Sequence, residues 1–203
     1  MGLYSKWVLP HVVHLACSGD TQEKQRRKVV PRARGEVLEI GFGTGLNLPH
    51  YAVGAVTRLW ALEPSAEMLR LAARADAPAG FELRTLEAGA EAIPLEDASV
   101  DTVVITYSLC TIPEPAAALA EMRRVLRPGG RLLFCEHGRS PDDSVHRWQQ
   151  RMNPLWSRLG GGCHLDREIP ALLEAAGFGL EGLEEGYIPG WKPACYNYWG
   201  EAA

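Results

Sequence analysis

The chain has 203 residues, enough for a single domain with a substantial hydrophobic core. Its formal net charge of −4 argues against nucleic acid as a main partner, because phosphate binding normally requires a basic surface. Five cysteines without a CxxC pair indicate neither a disulfide framework nor a zinc site with regularly spaced ligands, so we expect a cytoplasmic protein.

Residues 1–34 are expected to form edge helices or a helical lid. An apolar face packed on the rest of the protein is predicted by side chains at helical spacing, namely Trp7, Val8, His11, Val12 and Leu15. This apolar segment is too short to span a bilayer and lacks a signal-peptide pattern. The run from Lys24 to Arg34 holds six basic and no acidic residues. It indicates either a solvated helix face, the more common case, or weak contact with an anionic membrane surface.

Residues 35–138 alternate strand and helix patterns, which predicts an α/β fold with a mostly parallel, Rossmann-like sheet and helices on both faces. The predicted strands are Val37–Ile40, Arg58–Leu62, Phe81–Leu86, Val100–Thr106 and Arg131–Glu136. Ser65 caps a predicted helix that ends near Ala75, and Pro115 begins another. Pro128-Gly129-Gly130 ends that second helix and turns the chain into strand five.

Residues 139–203 are predicted to belong to the same domain and to form its substrate-binding side. A helical stripe runs from Val145 to Leu159, and Asn153-Pro154 is expected to restart it with a second cap. Another helix is expected over Asp166–Gly177. Strands at 180–185 and 195–199 bring the sheet to seven. Ten of the sixteen aromatic residues lie outside residues 35–140, which indicates an aromatic cap formed by the two termini.

The first predicted strand runs into a glycine-rich turn with the spacing GxGxG at Gly41, Gly43 and Gly45. A dinucleotide-binding turn requires GxGxxG, and Leu46 stands where its third glycine would fall. A nicotinamide oxidoreductase is therefore disfavoured. Glu63 ends the second strand, where a carboxylate accepts hydrogen bonds from the two hydroxyls of a nucleoside ribose. The alternative for Glu63 is a surface acid at a helix entrance.

These motifs resemble those of the class I S-adenosylmethionine-dependent methyltransferases. The resemblance rests on VLEIGFGTG (37–45), Glu63, AEAIPLEDASVD (90–101) and EMRRVLRPGGRLLF (121–134). It implies that the glycine turn holds the methionine end of the cofactor, that Glu63 holds the ribose and that Ala90-Glu91 flanks the adenine. Many relatives carry Asp where this chain has Gly89, so adenine recognition would rest on backbone groups near Ala90.

The resemblance therefore gives a set of candidate cofactor-binding residues, with S-adenosylhomocysteine as the expected product. They are Glu39, Gly41, Phe42, Gly43, Thr44, Gly45, Glu63, Pro64, Ala90, Glu91, Tyr107, Ser108 and Leu109. Methyl transfer from a sulfonium has a good leaving group, so catalysis is largely alignment and exclusion of water.

The second half of the chain is similar to the mammalian microsomal alkyl thiol methyltransferases and their small bacterial relatives. The motifs are LCTIPEP (109–115), CEHG (135–138), WQQRMNPLW (148–156) and GCHLDRE (162–168). This similarity favours a small apolar thiol as the methyl acceptor. A lipid headgroup amine and a quinone-precursor ring are the rivals, and a regulator that binds the cofactor without turnover is the non-enzymatic alternative.

His137 is the candidate catalytic residue, as a general base or substrate orienter, because imidazole titrates near neutral pH and the residue follows strand five. A histidine that merely bonds a loop carbonyl is the alternative. Tyr107 is expected to form a wall of the cofactor pocket. Cys163-His164 with Asp166 lacks a second spaced ligand pair, so no metal is predicted.

Overall fold

A computed structural model describes residues 8–74 and 80–203 and contains a seven-stranded sheet of order β3-β2-β1-β4-β5-β7-β6. Strands β1 to β5 are parallel, and β7 is antiparallel to both β5 and β6. The predicted mostly parallel sheet is confirmed. The strands are β1 Gly35–Ile40, β2 Val56–Leu62, β3 Glu82–Leu86, β4 Val100–Thr106, β5 Leu126–His137, β6 Leu180–Tyr187 and β7 Tyr196–Ala202.

Six α-helices connect or flank these strands in the described part of the chain. They are α1 Leu9–Cys17, α2 Asp20–Val29, α3 Ala66–Ala72, α4 Pro115–Val125, α5 Asp143–Leu159 and α6 Ile169–Ala175. Ser65 caps α3 by accepting a hydrogen bond from the Met68 amide at 3.3 Å, as predicted. The predicted end of that helix at Ala75 lies outside the described residues. Within the described ranges, no helix has the length and apolar character needed to cross a membrane.

The sheet separates two hydrophobic layers, because successive side chains of a strand point to opposite faces. Along β1, Leu38 and Ile40 join one layer and Val37 joins the other. Along β4, Val103 and Ile105 join the first layer. Helices on both faces cover these buried strands, and the carboxyl ends of β1, β2, β4 and β5 meet along one edge of the sheet. This edge is where the turns after the strands lie.

The apolar face predicted for the first helix is wrong. Val8 and Val12 are each 47% exposed and Leu15 is 77% exposed, whereas Pro10 is buried. The inward face of α1 is instead formed by Leu9, Pro10, Val13 and Cys17, which are partly or fully buried. The carbonyl of Cys17 also accepts a hydrogen bond from the buried Arg26 guanidinium. The predicted contribution of Trp7 lies outside the described residues.

The predicted restart at Asn153-Pro154 is also wrong, since α5 is one helix of 17 residues with Pro154 inside it. Asn153 is used elsewhere: its side-chain oxygen accepts a hydrogen bond from the Leu165 amide at 2.8 Å, and its amide bonds Asp166. These contacts hold residues 165–166 outside a helix. The helix predicted over Asp166–Gly177 therefore shortens to α6 at Ile169–Ala175.

The basic run from Lys24 to Arg34 is largely engaged within the protein. Arg26 is buried and lies over the ring of Tyr107, with 5.2 Å between the guanidinium carbon and the ring centroid. The Lys28 ammonium is 3.6 Å from the centroid of a Trp199 ring. Arg32 pairs with Glu201. These contacts fasten α2 and the segment after it to the sheet, so part of this positive charge is not presented to solvent.

Candidate active site

The turn after β1 leaves its backbone exposed to a ligand. Gly41, Gly43 and Gly45 have φ angles of +66°, +59° and +80°, a region in which a side chain is strained. A Cβ at Gly41 would lie 2.2 Å from the Ser108 hydroxyl oxygen. At Gly43 the nearest atom to a built Cβ is the Gly41 carbonyl, 3.8 Å away, so the space above this residue is open. The glycine spacing thus creates a bare backbone surface.

Glu63 closes this turn from the end of β2. Its Oε2 accepts a hydrogen bond from the Gly43 amide at 2.9 Å, and its Oε1 accepts one from the Ser65 amide at 3.0 Å. Burial raises the pKa of Glu63, and the two backbone hydrogen bonds oppose that rise. Each carboxylate oxygen accepts more than one hydrogen bond. The carboxylate therefore retains acceptor capacity for ribose hydroxyls while it orders the turn.

Glu39 supports the turn from within the sheet. Its carboxylate accepts hydrogen bonds from the Asn47 amide at 3.0 Å and from the Tyr51 hydroxyl at 2.6 Å. Asn47 also donates to the Thr106 hydroxyl at 3.0 Å, which links β1 to β4. Burial raises the pKa of Glu39 to about 7, although its two hydrogen bonds oppose the rise. Both carboxylate oxygens thus bond groups of the chain itself.

The turn after β4 lies beside the glycine turn. The edge of the sheet bounded by these two turns and Glu63 is called the crevice below. Tyr107 has a φ of +53°, which is strained for a bulky side chain, and its hydroxyl donates to the Asn197 side-chain oxygen at 2.9 Å. The amides of Ser108 and Leu109 both donate to one oxygen of the buried Glu136, at 2.7 and 3.0 Å. The backbone of this turn is therefore fixed by a carboxylate at the end of β5.

The remaining candidate residues differ in what they present. The Phe42 side chain is buried in the hydrophobic layer beneath the turn, so only its backbone faces the ligand side, and Pro64 is exposed beside Glu63. Ala90 is buried. Glu91 accepts a hydrogen bond from the Glu114 amide at 3.4 Å. The side chain of Ala90 therefore belongs to the core, and the role of this region in adenine binding stays a prediction.

Helix α1 lies against the glycine turn. His14 Nδ1 is 2.7 Å from the Thr44 hydroxyl oxygen, and both groups are on the exposed side of the turn. The sequence contained no indication of this pair, because its members are 30 positions apart. The contact places the first helix beside the glycine turn, and its role as a lid stays a prediction.

The side chain of His137, the candidate catalytic residue, lies next to the sulfur atom of Cys163. Its Nε2 is 3.2 Å from the Cys163 Sγ, and its Nδ1 is buried without a hydrogen-bond partner in the described part of the chain. Cys163 Sγ is also 3.7 Å from Cys110 Sγ. His164 and Asp166, which the sequence grouped with Cys163, bond Asn153 instead. The role of His137 as a general base stays a prediction.

Some supporting residues were not found from the sequence. Asn47, Tyr51 and Asn197 hold the site through side-chain hydrogen bonds, and each is separated in sequence from the group it contacts. Asn47 and Tyr51 follow the glycine turn closely, which is the signal that would have found them.

Comparison with known proteins assigns this crevice to a family. A methyltransferase domain model matches residues 38–134, which include the end of β1, the glycine turn, Glu63 and β4. The thiol S-methyltransferase TMT1B of Homo sapiens is 33% identical over 198 residues, covering 91% of this chain and 80% of that protein. The chain belongs to the class I S-adenosylmethionine-dependent methyltransferases.

Two further relatives show how far the similarity extends. The phosphatidylethanolamine N-methyltransferase of Cereibacter sphaeroides is 34% identical over 142 residues, covering 66% of each chain. A solved methyltransferase of Thermotoga maritima, described as a possible histamine N-methyltransferase, has a TM-score of 0.67 at 19% identity and covers 98% of this chain and 97% of its own. At that identity it supports the fold of this methyltransferase and nothing finer.

The residues of the crevice fit S-adenosylmethionine, the cofactor of the family. The bare backbone at Gly43 offers room for the methionine end, and Glu63 has acceptor capacity for the ribose. The family assignment thus agrees with the geometry, and it makes the protein an enzyme that transfers a methyl group to a small-molecule acceptor.

Proposed function

We propose that this methyltransferase acts on a small apolar thiol. The observation that carries the proposal is the extent of the similarity to human TMT1B. It covers 91% of the chain and so reaches beyond residues 38–134, the part matched by the methyltransferase domain model. Acceptor specificity resides outside the cofactor-binding part of a fold, in the loops and flanking elements. The similarity includes those elements here.

The electrostatics of the crevice suit a thiol. Both oxygens of Glu39 bond Asn47 and Tyr51, and one oxygen of Glu136 bonds two backbone amides. Glu39 is therefore a structural support, whereas Glu136 orders the turn with one oxygen and has its other oxygen, Oε2, buried without a hydrogen-bond partner among the described residues. A thiolate is intrinsically very nucleophilic, so a thiol needs less help from a protein base than an amine or a phenol. The thiol proposal therefore does not require either carboxylate to act as a base.

The residues of the chain perform binding, orientation and exclusion of water. S-adenosylmethionine supplies an activated methyl group on a sulfonium when bound. The glycine turn and Glu63 would fix its position, the backbone at Ser108 and Leu109 would form the wall towards the acceptor, and α1 would cover the mouth. Correct alignment of two bound reactants lowers the barrier by up to about 7–11 kcal/mol.

A lipid amine is the second candidate, because the Cereibacter sphaeroides relative is named for phosphatidylethanolamine. Weak contact of the Lys24–Arg34 run with anionic lipid belongs to this alternative. Burial of Arg26 and the pairing of Arg32 with Glu201 reduce the charge available for it. We therefore favour the thiol.

The two candidates are separated by an acceptor panel. The protein would be incubated with S-adenosylmethionine and, separately, a short alkyl thiol, phosphatidylethanolamine vesicles and a quinol precursor, and release of S-adenosylhomocysteine would be followed. We expect turnover with the thiol at a rate well above that of the other two acceptors. Turnover confined to the vesicles would replace the thiol by the lipid amine.

A further inference from the structure

Three side chains that can bind a metal ion, two thiols and one imidazole, come together beside the crevice from distant parts of the sequence. Cys110 follows β4, His137 ends β5, and Cys163 lies in the loop between α5 and α6. Cys163 Sγ is 3.7 Å from Cys110 Sγ and 3.2 Å from His137 Nε2, and the three donor atoms lie within 4.8 Å of one another. All five cysteines of the chain are free thiols.

Two of the three donor separations match those of a tetrahedral metal site. With Zn–S near ~2.3 Å and Zn–N near ~2.0–2.1 Å, two thiolate ligands lie about 3.8 Å apart, and a thiolate and an imidazole nitrogen lie about 3.5 Å apart. The separations of 3.7 Å and 3.2 Å that involve Cys163 differ from these by a few tenths of an ångström. The third pair, Cys110 Sγ and the His137 ring nitrogen, lies within 4.8 Å, so a bound cation would draw these two side chains together.

We propose that Cys110, His137 and Cys163 form a binding site for Zn²⁺ or a cation of similar ligand preference. Thiolates and imidazole are the ligands that this class of cation prefers. A disulfide between Cys110 and Cys163 would use two of the three groups, whereas one cation would use all three. The imidazole directed at Cys163 is thus the feature that favours a cation over a redox pair.

The loop that carries Cys163 is held in place before any cation binds. The amide of the next residue, His164, donates to the Cys110 carbonyl at 2.8 Å. One residue further, the Leu165 amide donates to the Asn153 side chain at 2.8 Å, and Arg167 bonds the Leu109 carbonyl. A preorganised ligand set loses less conformational entropy on binding. The position of Cys163 relative to Cys110 is therefore fixed by hydrogen bonds of the fold itself.

The site has three protein ligands, since no fourth cysteine, histidine or acidic side chain of the described residues joins the group. Such a site keeps one coordination position for a small ligand. Among the described residues His137 Nδ1 has no hydrogen-bond partner, whereas a zinc-bound histidine ordinarily donates from its second nitrogen. We therefore expect a site that chelators empty readily and that refills when cation is added.

The test uses Co²⁺ as a spectroscopic substitute for Zn²⁺ on the full chain, reduced and freed of metal by a chelator. Titration should give one equivalent of bound Co²⁺ with the thiolate-to-metal and d–d absorption of a tetrahedral site, reversed by Zn²⁺. Binding to the folded state alone should also raise Tm. The variants are Cys163→Ser and Cys110→Ser, each with its fold checked by circular dichroism. The matched control is Cys195→Ala, a buried cysteine outside the group.

We expect each serine variant to bind Co²⁺ more than about tenfold more weakly and Cys195→Ala to bind it as the unmodified chain does. Absence of Co²⁺ binding by the fully reduced protein would overturn the proposal. So would equal binding by Cys163→Ser, or formation of a Cys110–Cys163 disulfide in the presence of excess Zn²⁺. Since none of these readouts involves methyl transfer, they are independent of the identity of the acceptor.

Discussion

Glu63 and Gly43 are joined by a hydrogen bond of 2.9 Å from the backbone amide of the glycine to the carboxylate, across 20 residues of sequence. The bond couples the end of β2 to the turn after β1. One carboxylate thus sets the shape of the glycine turn and also faces the place where a ribose would lie.

Glu63→Gln should weaken S-adenosylmethionine binding by about 10- to 100-fold, since hydrogen bonds to a charged group are worth about 1.5–3 kcal/mol. Calorimetric titration with S-adenosylmethionine and S-adenosylhomocysteine measures the change. Glu181→Gln, at an exposed position of the distant β6, is the control and should bind as the unmodified chain does. Unchanged affinity in Glu63→Gln would remove the ribose assignment.

Gly41→Ala should destabilise the glycine turn through two separate effects. Positive φ costs about 1 kcal/mol or more for a residue with a side chain, and the new methyl group would lie 2.2 Å from the Ser108 oxygen. Gly54→Ala isolates the first effect, because its φ is +81° and its built Cβ has no atom within 4 Å.

Urea unfolding of both glycine variants measures the difference between them. We expect Gly41→Ala to be the less stable by about 1–3 kcal/mol, the range for overpacking of a filled site, and to bind S-adenosylmethionine more weakly. Equal stability of the two variants would show that Ser108 moves aside without cost.

Glu39 should make stability depend on pH. Its pKa is about 7 in the folded protein, against an ordinary value of 4.5, so the folded state holds a proton that the unfolded state releases between these values. Stability should therefore fall as pH rises from about 4.5 to about 7 and level off above. At about 1.36 kcal/mol for each pKa unit, the effect is about 3 kcal/mol.

Glu39→Gln removes this titration while keeping the shape of the side chain. The free energy of unfolding of the variant, relative to the unmodified chain, should increase between pH 5 and pH 8, as measured by urea denaturation. A difference that stays constant over this range would show that Glu39 does not titrate there.

Gln149 is the polar centre of the C-terminal half. Its side chain is fully buried, its Oε1 accepts from the Ser140 amide at 3.0 Å, and its amide nitrogen lies within 3.0 Å of three carbonyl oxygens. Those carbonyls belong to Gly138, Leu165 and Pro193.

Gln149→Leu leaves these buried groups unpaired and should lower the free energy of unfolding by about 2–4 kcal/mol. Gln150→Leu, at an exposed position of the same helix, is the matched control. A loss of equal size in both variants would contradict the role given to Gln149.

The sequence predicted the seven-stranded, mostly parallel sheet, although β5 begins at Leu126 and so includes Pro128-Gly129-Gly130, which were expected to end the preceding helix. The cofactor-binding residues stay a prediction. The glycine turn and Glu63 could be placed because both immediately follow strands, and parallel strands bring their carboxyl ends to one edge. That reasoning is local: it needs only the order of the elements and the spacing of a few residues.

The predictions that were wrong concern features that depend on contacts between distant segments of the chain. Two apolar faces of α1 were available, and the one that packs inward carries Leu9, Pro10 and Val13, whereas the spacing indicated Val8, Val12 and Leu15. Pro154 stays inside α5 because Asn153 is bonded to the following loop and does not cap a helix. The approach of Cys110 to Cys163 joins positions 53 residues apart, for which spacing contains no signal.

The most direct measurement of the proposed function is analysis of the methylated product. The protein would be supplied with S-adenosylmethionine carrying a deuterated methyl group and with a short alkyl thiol, and the thiol fraction would be examined by mass spectrometry. We predict a thioether that carries the intact deuterated methyl group, formed in step with S-adenosylhomocysteine and nearly abolished by Glu63→Gln at limiting cofactor. Absence of the labelled thioether, together with a labelled methyl group on phosphatidylethanolamine or the quinol precursor, would contradict the thiol assignment.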